Sequence, residues 1–318
     1  MRGNNEPPPA LIALDWGTTS VRAWLLAANA SVLEARAEPW GIMHLPPGGF
    51  VAAYDALTAD WRAQWPDVAS LASGMVGSAQ GWVQAPYCDC PATAHALGQH
   101  LVRVPDVDLH VVPGVTTSGA EPDMMRGEET QIVGAMERYP ELAVRSLIVL
   151  PGTHSKWASI ENGAIQSFST YITGELFSVL STHSILGRPA RDATHESGDL
   201  HQINADRAFE HGVLAVRDQS RALSSLLFST RARVLAGHMQ PSESLDYLSG
   251  LLIGDEIRSA LELDARPLAL IGDPALVNRY RRALLLFGAS QPCVVDGAAQ
   301  AGISQIARLA GLSKRRSA

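Results

Sequence analysis

Leu14-Asp15-Trp16-Gly17-Thr18-Thr19-Ser20, near the start of the chain, returns in outline as Leu150-Pro151-Gly152-Thr153-His154-Ser155-Lys156 in its middle. Each copy is an apolar run that ends in a tight Gly-Thr-x-Ser turn, followed by a second run with aliphatic or Trp positions, 21–26 in the first and 157–160 in the second. Each predicts a β-hairpin. A single such turn is ordinary hairpin chemistry, because Gly, Ser and Thr favour turns in any case. Two of them at long spacing suggest duplicated half-molecules facing one another. Glycine lets a backbone approach a ligand closely, and small hydroxyls beside free amide groups form a concavity that suits phosphate oxygens. The pair therefore predicts a triphosphate held between two lobes.

Outward from the first copy, 31–37 supplies a third strand. The next segment, 49–65, has helical spacing, with Val51, Tyr54, Leu57, Trp61 and Trp65 on one face read as core. The apolar run 68–75 is a buried strand ending in Gly74-Met75-Val76-Gly77-Ser78, and ligands gather outside the carboxyl ends of strands in α/β folds. A proline-broken excursion over 85–91 follows. Long loops inside compact domains are usually functional or disordered, and Trp82 and Tyr87 either wall a sugar site or cover an edge of the core. A helix near 92–101 and a short strand over 109–112 lead to Met125-Arg126-Gly127-Glu128-Glu129, which opens a helix reaching about residue 138. Its two carboxylates stand in the first turn, where the helix dipole favours them whether or not they do chemistry.

Beyond the second copy, Glu161-Asn162-Gly163 is a hairpin turn. Tyr171-Ile172-Thr173-Gly174-Glu175 then leads into a helix with hydroxyls suited to a polyol. The stretch 186–204, with Arg188, Arg191 and His195, reads as polar and rich in loops. Helices fill 205–263, one of them capped by Ser242 or Ser244 after Pro241. A strand over 267–271, the turn Gly272-Asp273-Pro274 and a helix over 275–287 form an ordinary βα unit that can also seat an adenosine ring. The small-residue run 298–302 allows close helix approach or hinge motion.

The 318 residues suggest two domains, drawn at 10–141 and 142–318. With 18% charged and 46% hydrophobic residues, the chain is of ordinary globular composition. A net charge of −7 disfavours nucleic acid or an anionic membrane as a main partner. The polar, proline-rich start lacks the apolar core of a signal peptide and no run is long enough to span a bilayer, so a cytoplasmic location is expected. Cys88 and Cys90, two of three cysteines, are read as free thiols rather than metal ligands, since no further ligands stand at a usual spacing. Lys314-Arg315-Arg316 is read as a solvated tail.

The paired turns resemble the two phosphate-binding hairpins of the actin-like ATPase superfamily, which includes sugar kinases. Gly74-Met75-Val76-Gly77-Ser78, Met125-Arg126-Gly127-Glu128-Glu129-Thr130-Gln131, Pro151-Gly152-Thr153-His154-Ser155-Lys156-Trp157 and Thr173-Gly174-Glu175-Leu176-Phe177 resemble the 2-dehydro-3-deoxygalactonokinases within it, over about 11–309. That resemblance implies two ribonuclease H-like (actin-like ATPase) α/β lobes with a nucleotide cleft between them. The activity it implies is ATP-dependent, Mg²⁺-assisted phosphorylation of the terminal hydroxyl of 2-dehydro-3-deoxy-D-galactonate in galactonate catabolism.

Phosphoryl transfer asks chiefly for positioning and charge stabilisation. By resemblance, Gly17, Thr18, Thr19, Ser20, Gly152, Thr153, His154, Ser155 and Lys156 would hold phosphates, and Gly272 with Asp273 the adenosine. Asp15 would hold Mg²⁺, through water. Lys156 would neutralise charge on the transferring group or point to solvent. Glu128 would take the substrate proton, with Glu129 in reserve. Arg126, ahead of Arg22, would grip the sugar acid's carboxylate, and Ser78, Gln80, Tyr171, Thr173 and Glu175 its hydroxyls. The gluconate epimer, 2-dehydro-3-deoxygluconate, differs at one stereocentre and remains an alternative substrate. A non-catalytic actin-like sugar or ATP sensor is the other alternative; a sensor would need an output module, and nine residues before the first strand do not hold one. A homodimer is left open.

Overall fold

The computed structural model describes residues 7–119, 121–192, 199–261 and 266–313. The chain forms two compact units: Met1–Leu147, Ala158–Phe168 and Val295–Ala318 make the first, Ile148–Trp157 and Ser169–Val294 the second.

In the first unit β1 (Pro9–Trp16) and β2 (Val21–Ala27) pair antiparallel with Asp15 opposite Arg22 and Trp16 opposite Val21, and β3 (Val32–Glu38) continues the meander. Leu11, Ile12, Ala13, Leu14 and Trp16 are all buried, which is why β1 reads as a continuous apolar run rather than an alternation. α1 (Gly49–Gln64) lays Tyr54, Leu57 and Trp61 into this core. Val51, expected on the same stripe, is 50% exposed; it lies off the buried face, which Phe50 and Ala53 share with Tyr54. β4 (Ser70–Gly74) runs parallel to β1, with Ser73 opposite Asp15 and Gly74 opposite Trp16.

The excursion after β4 is more ordered than its prolines suggest. It holds β5 (Tyr87–Asp89), β6 (Ala92–Thr93) and α2 (Ala94–Gln99), which starts on a Thr93 hydroxyl accepting from the Ala96 amide. β7 (Val102–Arg103), β8 (His110–Val111), β9 (Gly114–Thr117) and β10 (Asp123–Met125) follow. β3-β2-β1-β4-β8-β7 form one sheet, and β10-β9-β5 a small second one. The backbone of 87–89 thus finds its partner on β9, a pairing distant in sequence. The small sheet delivers the chain at Met125 to the start of α3 (Glu128–Arg138), which α4 (Glu141–Val144) follows.

β11 (Arg145–Leu150), β12 (Ser155–Glu161) and β13 (Ala164–Tyr171) come next. Asn162 at φ 51° and Gly163 at φ 74° make the expected Asn-Gly turn between the last two. In the first unit, Ala164 and Ile165 of β13 pair antiparallel with Thr93 and Ala92 of β6.

The second unit adds α5 (Thr173–His183), α6 (Arg188–Asp192), α7 (Asp199–Arg217), α8 (Leu223–Leu227), α9 (Ser229–Leu235) and α10 (Ser244–Ala260). The stretch 186–204, read as loop, is largely helical in its described residues. Arg188 and Arg191 are exposed, and Arg191 Nη1 donates to the carbonyls of Ser181 and Thr182 in the last turn of α5; His195 lies outside the described residues, as does the tail 314–318. Neither Ser242 nor Ser244 caps a helix here. Gln240 and Glu243 form a capping box around a short 3₁₀ turn, Pro241–Glu243, from which α10 continues. β14 (Leu268–Leu270), α11 (Pro274–Leu286) and β15 (Cys293–Val294) complete the unit, with β14 parallel to β15. α12 (Ala298–Leu309) belongs to the first unit and packs on α3. Among the described residues no helix is long and apolar enough to cross a membrane.

Candidate active site

The ends of β1 and β4 and the start of α3 meet around a cleft of about 260 Å³ lined by Asp15, Gly17, Ser20, Arg22, Arg126 and Glu128, with Gly74, Met75, Gly127 and Gln131. All belong to the first unit. Two glycines make the meeting possible. Gly74 has φ 98°, and a Cβ on it would lie 2.7 Å from the Trp16 carbonyl oxygen; Gly127 has φ 106°, and a Cβ there would lie 3.2 Å from the Gly74 Cα. Both conformations are ones that L side chains rarely take, and both approaches are backbone to backbone.

The two carboxylates at the start of α3 part company. Glu128 lines the cleft, and its Oε2 accepts from the Arg126 amide at 3.0 Å. Glu129 is fully buried: its Oε2 accepts from the Gly127 amide at 2.7 Å and its Oε1 from the Thr130 hydroxyl at 3.0 Å, while Thr130 in turn accepts from Ser73 at 2.7 Å. Burial, reinforced by the nearby Glu128 charge, pushes the Glu129 carboxyl up to about 8. Asp15 is half-buried; burial pushes its carboxyl above the usual range and the Arg22 guanidinium pulls it partly back.

Arg126 is held from two sides. Its Nη2 donates to the Ala85 carbonyl at 2.8 Å, and its guanidinium lies 4.4 Å over the Tyr87 ring. Its Nε and Nη1 are buried and have no hydrogen-bond partner. Leaving buried donors unpaired costs about 1–3 kcal/mol, more for a charged group, and the same side chain lines the cleft. Of the two aromatics proposed as a sugar wall, Tyr87 supports Arg126, whereas Trp82 packs in the core edge, stacked on Phe50 at 5.7 Å.

Each Gly-Thr turn is backed by a glycine from a later segment. In the first, the Gly17 amide donates to the Ser20 carbonyl at 2.9 Å, and Ile42 and Met43 donate to the carbonyls of Gly17 and Thr18. A Cβ on Gly41 would sit 2.2 Å from the Thr18 carbonyl and Thr19 nitrogen. In the second, the Glu175 amide donates to the Thr153 carbonyl at 3.1 Å, and a Cβ on Gly174 would lie 2.5 Å from the Gly152 carbonyl oxygen. Nothing in the motif itself announces Gly41, and nothing in the string around Gly174 marks it as a buttress.

The second unit has its own pocket, about 230 Å³ and mainly apolar, lined by Gly152, Thr173, Gly174 and Phe177, by Asp246, Ser249, Leu252 and Ile253 of α10, and by Leu276, Arg279 and Tyr280 of α11. The α10 and α11 residues are not anticipated from the sequence, because they read as helix interior. Asp246 pairs with Arg279 inside it. Beside it, Asp273 caps α11 by accepting from the amides of Ala275 and Leu276, and a Cβ on Gly272 would lie 3.2 Å from the Pro151 carbonyl oxygen.

Asp15, Gly17, Ser20, Arg22, Arg126 and Glu128 therefore line one cleft, whereas Thr18 and Thr19 are exposed on its turn. Ser78 is buried outside the cleft lining with no partner for its hydroxyl, and Gln80 is exposed. Tyr171, Thr173 and Glu175 belong to the second unit with Gly152, Thr153, His154, Ser155 and Lys156. There Glu175 meets the His154 ring at 2.5 Å, Tyr171 donates to Ser259 at 3.2 Å, and Lys156 is buried, its Nζ donating to Thr170 at 2.6 Å rather than standing in solvent. Cys88 and Cys90 are free thiols. Among the described residues no three His, Cys, Asp or Glu side chains gather into a metal cluster.

A family model described as 2-keto-3-deoxy-galactonokinase matches residues 15–306. The 2-dehydro-3-deoxygalactonokinase of Escherichia coli (strain K12) is 36% identical over 300 residues, which span 93% of this chain and 97% of that protein. A Sinorhizobium meliloti protein, crystallised as a candidate 2-dehydro-3-deoxygalactonokinase, matches with a TM-score of 0.83 at 33% identity over 94% of this chain and 98% of its own. The activator of 2-hydroxyisocaproyl-CoA dehydratase from Clostridium difficile, solved with bound ADPNP, shares the fold at a TM-score of 0.50 and 12% identity, covering 97% of this chain and 100% of its own. The expected α/β fold of the actin-like ATPases and sugar kinases is borne out.

Proposed function

The chain belongs to the 2-keto-3-deoxy-galactonokinase family, and from that premise we propose that its first-unit cleft holds the sugar acid and its second-unit pocket the nucleotide. The protein is an ATP-dependent kinase that phosphorylates 2-dehydro-3-deoxy-D-galactonate in galactonate catabolism. The acceptor is the terminal hydroxyl.

The observation that carries the assignment of the cleft is Arg126. A keto acid brings a carboxylate, and Arg126 puts a guanidinium, two of whose nitrogens have no acceptor within the protein, on the lining of the cleft. Arg22 adds a second positive charge on the same lining. Glu128 is the base: it is the α3 carboxylate on the cleft lining, and it accepts the proton of the substrate hydroxyl as phosphorus is attacked. Glu129 does not compete for that role, because a fully buried carboxyl group bonded to the Gly127 amide cannot touch substrate. It holds the start of α3 instead.

The residues also fit Mg²⁺. Asp15 offers a hard carboxylate oxygen at the cleft, and Mg²⁺ commonly takes one or two carboxylates with water and phosphate oxygens, so a three-ligand protein cage is not needed. When bound, the ion neutralises charge on the phosphates. Asp15 orients it, the backbone of 17–20 offers its turn to phosphate oxygens, and the apolar lining of α10 and α11 takes the adenosine.

The test is to incubate the protein with ATP, Mg²⁺ and each of the two epimeric keto-deoxy acids and to follow the phosphorylated sugar acid by mass spectrometry. Phosphorylation of the galactonate-derived acid in preference to its epimer is expected. ATP turnover that depends on neither acid overturns the reading.

A further inference from the structure

Beneath the second Gly-Thr turn lies a buried polar chain that the phosphoryl-transfer assignment leaves unused. Glu256 of α10 is 2% exposed. Its Oε1 accepts from the indole nitrogen of Trp157 at 2.7 Å and its Oε2 from the hydroxyl of Tyr280 at 2.7 Å. The Tyr280 oxygen stands 2.9 Å from Ser155 Oγ, and Ser155 Oγ stands 3.4 Å from the Gly152 nitrogen and 3.5 Å from the Gly152 oxygen. All of these residues belong to the second unit. Tyr280, Thr173 and Gly152 also line its pocket.

The direction of this chain of hydrogen bonds is set at its buried end. An indole N–H can only donate, so one carboxylate oxygen is committed to Trp157. As a carboxylate, Glu256 has no proton to give, so Tyr280 donates to its other oxygen. The Tyr280 oxygen then accepts from Ser155. With its proton spent on Tyr280 or on the Glu256 carboxylate itself, Ser155 faces Gly152 as an acceptor for the amide and not as a donor to the carbonyl. Four groups are thereby placed in one order by a charge that touches no ligand.

We propose that Glu256 is a positioning residue that acts through Tyr280 and Ser155 to set the polarity of the Gly152–Ser155 turn, and with it the affinity for nucleotide. The proposal rests on the reading that this turn and pocket hold the nucleotide. Burial raises the Glu256 carboxyl, while hydrogen bonds from Thr173, Trp157, Tyr280 and Ser155 pull it back.

Glu256→Gln tests the idea with almost no change of volume. Glutamine offers one oxygen and one NH₂. Its oxygen must serve Trp157, so its NH₂ faces Tyr280, which then accepts where it had donated. Tyr280 passes its proton to Ser155, and Ser155 donates to the Gly152 carbonyl. Every heavy-atom position is retained and the order of donors is reversed. Tyr280→Phe cuts the chain at its middle.

The experiment measures ADP binding by calorimetry, KM for ATP and for the sugar acid, kcat and melting temperature for Glu256→Gln, Tyr280→Phe and the double variant. Each single substitution is expected to weaken ADP binding and raise the KM for ATP by about tenfold, the scale of one hydrogen bond to a charged group. The KM for the sugar acid should stay near that of the unaltered protein. The double variant should be no weaker than Tyr280→Phe alone, since the two act on one chain.

Wild-type ADP affinity in Glu256→Gln overturns the proposal, as do additive effects in the double variant or equal rises in both KM values. If Glu256→Gln does not fold, Tyr280→Phe carries the test, and unchanged ADP binding in it overturns the proposal. Failure of the underlying reading is separately visible: it is shown by normal ADP binding in Gly152→Val, whatever Glu256 does.

Discussion

Replacing Glu129 by glutamine should make the protein more stable at alkaline pH, and the structure gives the size and sign of the effect. The carboxyl is fully buried and its pKa is pushed from the usual 4.5 up to about 8. At neutral pH the folded protein therefore keeps a proton that the unfolded chain releases. Stability from this group is complete below the unfolded value of 4.5, declines as pH rises, and is lost by about 8. Within that window the slope is about −1.4 kcal/mol per pH unit. Across the whole window the loss has a ceiling of about 5 kcal/mol, which relaxation around the ionised group reduces.

In Glu129→Gln the side chain stays neutral throughout. Its carbonyl can take the Gly127 amide and its NH₂ can donate to the Thr130 oxygen, so both hydrogen-bonding positions of Glu129 remain filled. Urea unfolding of the two proteins between about pH 5 and pH 9 is the assay, with the titrating groups other than the neighbouring Glu128 and Cys88 cancelling in the difference. The curves should nearly coincide at the acid end and separate steadily toward the alkaline end, the variant being the more stable. Parallel curves across the range would refute the buried-proton argument. Turnover should survive the substitution, because Glu129 does not reach the cleft.

Glu128→Gln should bind nucleotide and sugar acid nearly as the unaltered protein does, melt close to it, and lose turnover by about a hundred- to ten-thousand-fold; measurable turnover near wild type would leave Glu128 as a helix-terminus charge only. Arg126→Met should raise the KM for the sugar acid by at least about tenfold, with the KM for ATP unchanged, if the proposed charge-assisted contact with the carboxylate is made by this residue; steady-state kinetics with each substrate varied in turn decides it. Gly152→Val should fold normally, because nothing lies within 4 Å of a Cβ at that position, yet weaken ADP binding measured by calorimetry by filling the space where phosphate approaches the backbone.

Much of this architecture is legible from local pattern. The paired hairpins, the buried run of β4, the Asn-Gly turn and the α3 helix from Glu128 to Arg138 are set by residues adjacent in sequence, and they stand as expected. What stayed hidden depends on contacts distant in sequence. The strand 87–89 pairs with β9, the pocket walls on α10 and α11 look like any apolar helix face, and Gly41 buttresses a turn more than twenty residues earlier. The helical content of 186–204 is hidden for a different reason, since a five-residue helix such as 188–192 is too short to show a period. At the site, residue type distinguishes neither Glu128 from Glu129 nor Tyr87 from Trp82. Adjacent glutamates on a helix start point about 100° apart, and which one meets the cleft is decided by how the helix is docked.

That docking is a matter of backbone contact rather than side-chain packing. At its first turn α3 meets β4 through Gly127 on Gly74. Further along, a Cβ on Gly134 would lie 1.8 Å from the Ala298 carbonyl oxygen, and one on Gly302 of α12 would lie 1.8 Å from the Thr130 carbonyl oxygen. Side chains can change rotamer to absorb a shift of a few tenths of an ångström, but abutting main chains cannot, so the rotation of α3 about its axis is held at two points along its length. Glu128 is thereby presented to the cleft and Glu129 is turned inward onto the Gly127 amide, and neither can exchange places with the other without parting the two helices. The small residues of α12, which in sequence promise close approach or hinge motion, thus act on which carboxylate faces the cleft from the opposite side of the helix that bears it.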